Sequence, residues 1–155
     1  MYSKDENRKL RKEFWSAFSE YTKFYSMKIG EPIQWVFYRT GVKGVELKFD
    51  LENKVVRVIL EVNVKNIDKR FDIYVELDKY KSIINSDFND KLLWFEDYQL
   101  PEDKFVSRIF VELYGLNFHN RDKWPEIFLF MAENMFKLQT NFMDIQPLLK
   151  EKFDV

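Results

Sequence analysis

Between Gly44 and Val64, apolar and polar residues alternate twice, with apolar positions at Val45, Leu47, Phe49 and Leu51, then at Val56, Val58, Leu60, Val62 and Val64. A period of two marks half-buried strands, and Asn53-Lys54 between the runs predicts a two-residue hairpin turn. With that turn Leu51 faces Val56, Phe49 faces Val58, Leu47 faces Leu60 and Val45 faces Val62. A one-residue slip would move every apolar side chain to the wrong face, so the register is well specified. The opposite face pairs Asp50 with Arg57, Lys48 with Ile59 and Glu46 with Glu61.

The rest of the chain changes period. Leu10, Phe14, Ala17, Phe18, Tyr21 and Tyr25 recur at helical spacing behind a Ser3-x-x-Glu6 capping box. They predict a helix over roughly 4–27 that stops near Gly30, with Pro32 beyond. Residues 33–39 (IQWVFYR) are aromatic and β-branched on both faces and read as a strand covered on both sides. With the hairpin it would complete a three-stranded meander. Asn66 caps a second helix carrying Ile73, Leu77, Tyr80 and Ile84, with Phe71 and Tyr74 beside that stripe, ending near Asn85 to Asn89, where 86–90 is turn-like. Residues 91–98 and 105–114 predict a second hairpin across Pro101-Glu102-Asp103. A last helix begins near Asp122 and buries Ile127, Met131, Met135, Leu138, Phe142, Ile145 and Leu149. Pro147 is expected to kink or restart it, because proline lacks the backbone donor and crowds the carbonyl four residues back. The whole predicts one α+β domain over 1–155, with a mostly antiparallel sheet of about five strands and helices packed on its apolar face.

Composition agrees with a packed core: hydrophobic residues make up 46% and aromatics 18%, with four Gly and four Pro among 155 residues. Phe, without a polar handle, dominates the aromatics, which points to packing rather than ligand stacking. A net charge of −1 does not favour nucleic acid or an anionic membrane. Basic residues cluster at Lys4–Lys12 and acidic ones at Asp87–Asp103, either as solvated faces or as complementary docking surfaces. The absence of cysteine removes disulfides, thiolate metal sites and cysteine nucleophiles. The charged start, MYSKDENRKLRKEF, does not read as a secretory signal, and no apolar run suits a membrane span, so a cytoplasmic protein is expected.

Chemistry has few candidates. Glu46 and Glu61, opposed across the hairpin, would repel unless water, a cation or a divalent metal relieved them. Mg²⁺ or Mn²⁺ would suit such oxygen ligands, and Lys48 and Arg57 on the same face are the alternative relief. Arg108 shares a strand face with Val106 and Phe110 and needs a carboxylate partner, expected to be Glu96 across the hairpin. His119, the single histidine, reads as loop surface, and as a general base it would need a nucleophile such as Ser107 nearby. Trp35, Phe37, Tyr38 and Arg39 interleave aromatic and basic side chains, as a base-stacking platform does, although a buried strand accounts for the same pattern.

The element order, taken with WVFYRTGVK at 35–43, Trp94, Ser107-Arg108-Ile109 and Trp124-Pro125, resembles a bacterial family described as domain of unknown function 4268. The similarity extends over nearly the whole chain. It implies a fold rather than a reaction, in domains that stand alone or follow restriction-endonuclease-like domains. The order helix, meander, helix, strand also resembles the PD-(D/E)xK nuclease core, whose second-strand acid and third-strand Glu-x-Lys bind Mg²⁺. That resemblance implies Glu46 or Asp50 with Glu61 as ligands, while the lysine position holds Asn63, which carries no positive charge. Two functions follow: a non-catalytic interaction module that contacts a protein partner or a second copy as a homodimer, or a divergent metal-dependent nuclease using Glu46, Asp50, Glu61 and Asn63.

Overall fold

The computed structural model describes residues 3–33, 35 and 40–153. Helix α1 (Lys4–Ile29) starts where the Ser3 hydroxyl accepts the Glu6 amide hydrogen and stops at Gly30, whose φ of 76° is the left-handed conformation glycine adopts freely. Strands β1 (Val45–Leu51) and β2 (Val55–Val62) form the hairpin in the predicted register, from Val45↔Val62 to Leu51↔Val56, with Glu46 opposite Glu61. Helix α2 (Ile67–Lys79) is capped by the Asn66 side chain on the Lys69 amide, and a break at Tyr80 separates it from the single turn α3 (Lys81–Ile84). Ile73, Leu77 and Ile84 are fully buried, as the stripe required, whereas Phe71 points to solvent.

The second hairpin joins β3 (Leu93–Leu100) to β4 (Lys104–Tyr114) through a 3-10 turn at Pro101–Asp103. All four strands are antiparallel in the order β1-β2-β4-β3, so each hairpin contributes one central strand. Four strands are therefore present among the described residues, against an expected five. The expected strand at 33–39 falls mainly on 34 and 36–39, which lie outside the described residues. Its described Trp35 is buried: the ring packs on Phe18, Tyr25 and Phe49, and its indole N–H donates to Gln139 Oε1 at 2.9 Å. That side chain of the proposed stacking platform is thus core.

Helix α4 (Trp124–Phe153) continues through Pro147 rather than restarting there. Proline and the Met143 carbonyl it releases both belong to the exposed side of the helix, where water can satisfy the acceptor. Ile145 and Leu149 are fully buried on either side of it, and this packing keeps the chain helical through the defect. The seven predicted core positions of α4 are all 0–1% exposed. They meet the face of the sheet formed by Val45, Val56, Val58, Leu60, Val62, Ile109 and Val111. Phe14 sits at the aromatic centre, with ring centroids of Trp15, Phe118, Trp124 and Phe128 between 5.0 and 6.1 Å away.

Candidate functional site

The second face of the sheet carries the charged residues. Because β2 pairs with β4, Glu61 lies directly opposite Arg108, and Arg57 lies opposite Glu112. Three cross-sheet rows result: Glu46-Glu61-Arg108-Phe95, Lys48-Ile59-Phe110-Leu93 and Asp50-Arg57-Glu112. Ile59, Val106 and Phe110 on this face are buried, although they stand outside the helix-packed core.

Arg108 organises the rows. Its Nε donates to Glu61 Oε1 at 2.8 Å and its Nη1 to Asp50 Oδ2 at 2.9 Å. The guanidinium also lies 4.8 Å from the centre of the Tyr98 ring. Arg108 is 3% exposed and Glu61 2%, so both charges are withdrawn from water and satisfied within the protein. The other Glu61 oxygen accepts from Asn63 Nδ2 at 3.2 Å and from Lys48 Nζ at 3.4 Å. Arg57 continues the ladder: Nε reaches Glu112 at 2.9 Å, and Nη1 reaches Glu52 at 3.3 Å and Asp50 at 3.7 Å.

Each candidate residue therefore has a definite place. The sheet brings Glu61, Asp50 and Asn63 together around Arg108, while Glu46, in register opposite Glu61, is exposed. Repulsion across the hairpin is relieved by cations in the protein itself, namely Arg108 and Lys48. A divalent ion approaching Glu61 would have to compete with two positive groups already on its oxygens. Among the described residues, no three His, Asp or Glu side chains converge as a metal-ligand set.

Burial alone would raise the Glu61 carboxyl pKa. The Arg108 hydrogen bond and the charges of Lys48 and Arg108 outweigh it and hold the group below its ordinary value of 4.5. Folded Glu61 therefore binds its proton less readily than unfolded Glu61 does. Its stabilisation is complete above pH about 4.5 and is lost as pH falls through the lower folded value. Glu61→Gln is expected to flatten the acid limb of a plot of melting temperature against pH, while lowering stability at neutral pH.

The partner expected for Arg108 needs correction. Its carboxylates are Glu61 and Asp50, whereas Glu96 contributes a backbone carbonyl to a different network. A register shift between Phe95 and Tyr98 interrupts the β3–β4 ladder, and Arg70 from α2 fills the gap. Arg70 Nη1 donates to the Glu96 carbonyl at 2.6 Å and to Ser107 Oγ at 2.9 Å, and Nη2 reaches Asp97 at 2.7 Å. Ser107 in turn donates to the same Glu96 carbonyl at 2.6 Å. Its hydroxyl is thereby committed to bracing a bulge and is not poised as a nucleophile.

His119 is half-buried against Phe118, with its ring nitrogens 2.8 Å from Asn117 Oδ1 and Asn7 Oδ1. Burial and the nearby Arg11 charge both hold its pKa below the usual histidine value. It ties the loop after β4 to the start of α1.

The Arg108–Glu61 contact carried a signal in the sequence. Ile59 interrupts the charged face, and Glu61 sits between Leu60 and Val62, which marks a covered strand whose acid needs a cation. What was missing was the neighbour, because the pairing of β2 with β4 joins residues 47 positions apart.

No helix among the described residues is long and apolar enough to cross a membrane. No curated protein and no solved structure matches the chain. A family model described as domain of unknown function (DUF4268) matches residues 10–146, nearly the whole length of the fold just described, and the chain belongs to that family.

Proposed function

We propose that this domain acts by contact rather than by catalysis, as a non-catalytic module that binds a protein partner. The supporting observation is the state of Glu61: both carboxylate oxygens are engaged by Arg108, Lys48 and Asn63 in a site withdrawn from water. A catalytic carboxylate needs an oxygen available to metal, water or substrate, and here both oxygens already serve the protein's own donors. Asp50, the other acid of the nuclease reading, is likewise held by Arg108.

Metal titration separates the two readings. Millimolar Mg²⁺ or Mn²⁺ should leave the melting temperature of the wild-type chain unchanged, since a ligand that does not bind the folded state cannot stabilise it. A metal-dependent rise that disappears in Glu61→Gln, accompanied by cleavage of DNA, would replace the module reading with the nuclease one.

A further inference from the structure

The β2–β4 ladder closes at Val62↔Ser107, while β4 stays paired with β3 as far as Leu100↔Lys104. Residues 104–106 are therefore paired on one side only, and past Val62 the chain turns away into α2. A pocket of about 680 Å³ opens where the two strands part, within the roughly 300–1,000 Å³ typical of small-molecule sites. Val64 and Phe105, each two residues past the last pair, and Ile67 at the start of α2 give it an apolar lining. Ile67 is 71% exposed and Phe105 49%, so both leave apolar surface uncovered there.

The charged part of the lining is mainly positive. Lys65 and Lys104, each three residues past the last pair, both line the pocket, and neither makes an ion pair or hydrogen bond among the described residues. Arg70 forms part of the wall. Its side chain is only 6% exposed, and Nη1 and Nη2 carry its bonds to Glu96, Ser107 and Asp97. Nε carries none and is not sealed in, since every enclosed side-chain nitrogen among the described residues has a partner. That N–H is left for a ligand. Asp97 is the one acid described in the lining, and Arg70 already holds it at 2.7 Å. The neighbouring Asp68, Lys69, Glu102 and Asp103 do not line the pocket. Because the Asn66 cap takes the Lys69 amide, the Ile67 amide in the first turn of α2 stays unpaired at the rim, where a helix start favours an anion.

We propose that this pocket binds a small organic phosphate monoester, with the phosphate among Lys65, Lys104 and Arg70 Nε and an apolar or aromatic body on Val64, Ile67 and Phe105. Two unpaired ammonium charges match a phosphate monoester, which carries about −1.5 to −2 near pH 7. A carboxylate would leave one of them unanswered. The apolar lining adds affinity that a bare inorganic ion cannot gain, because such an ion buries no apolar surface. A nucleic-acid strand would need a basic track along its backbone rather than a single pocket, on a chain whose net charge is −1. The site is separate from the Arg108–Glu61 network and does not depend on the module reading.

The probe is 2-naphthyl phosphate at pH 7, compared with 2-naphthol and with inorganic phosphate. Amide chemical-shift mapping with the ester should perturb residues 63–70 and 104–106, and each control should bind at least tenfold more weakly. Lys65→Gln with Lys104→Gln, both at exposed positions, should weaken the ester at least tenfold without changing the melting temperature of the unliganded chain. Ile67→Ser should weaken the ester while leaving inorganic phosphate unaffected, which separates the apolar contribution from the ionic one. Absence of saturable binding at millimolar ester, shifts mapping elsewhere, or naphthol bound as tightly as its phosphate would overturn the proposal. So would undiminished affinity in the double glutamine variant, or inorganic phosphate bound as tightly as the ester. These outcomes are independent of the metal titration: a chain inert to metal that does not bind the ester loses the pocket proposal alone, and a metal response sinks the module reading whatever the ester does.

Discussion

Replacing Arg108 with methionine is expected to destabilise the fold by about 3–5 kcal/mol, because Glu61 would remain buried without its counter-charge. In a chain of this size that corresponds to roughly 6–20 °C of melting temperature. Burial decides the magnitude. Arg57 makes three ionic contacts against two for Arg108, but one of its partners, Glu52, is largely exposed, and such a pair contributes about 0–1 kcal/mol. Arg108→Lys should recover only part of the loss: an ammonium is a single point of charge, whereas the guanidinium reaches Glu61 and Asp50 from different nitrogens. Without Arg108, burial dominates at Glu61 and raises its pKa, so the deficit of the methionine variant should shrink in acid, where the carboxyl takes up a proton. Denaturant melts at pH 7 and pH 4 measure both effects. A variant within about 1 kcal/mol of wild type at neutral pH would mean that Glu61 is not held by Arg108.

Phe14→Ala is expected to cost a similar amount, about 3–5 kcal/mol, by a different mechanism. Phe14 is fully buried and packs its ring edges against aromatic residues from α1, from the loop before α4 and from α4 itself. Truncation leaves a cavity among rigid rings that cannot collapse into it easily. Phe24, on the same helix but 63% exposed, supplies the control, and Phe24→Ala should change stability by no more than about 0.5 kcal/mol. Chemical denaturation of the two variants side by side distinguishes burial from aromatic content. Equal effects at the two positions would contradict the helix phase assigned to α1.

Most local structure was legible because local signals determined it. The period of two fixed the β1–β2 register down to Glu46 opposite Glu61, and side-chain caps at Ser3 and Asn66 marked two helix starts. Core positions on α4 followed from spacing alone. The long-range pairing did not follow. Nothing within either hairpin states that β2 pairs with β4, and that pairing gave Arg108 its partners. The expected Arg108–Glu96 pair was a nearest-neighbour guess, and the bulge at 95–98 that turned Glu96 to another use has no glycine or proline to announce it. At Pro147 the expected restart does not occur, because the helix continues between the buried Ile145 and Leu149.

The second sheet face is most directly tested by a double-mutant cycle across β2 and β4, with Glu61→Met, Arg108→Met and the pair measured by denaturation at pH 7. Two well-shaped apolar side chains should replace the ion pair at little cost, so the double variant should be more stable than Arg108→Met alone, with a coupling of about 2 kcal/mol or more. Additive effects, within about 0.5 kcal/mol of the sum of the single changes, would show that Glu61 and Arg108 do not depend on each other and would leave that carboxylate free for other chemistry.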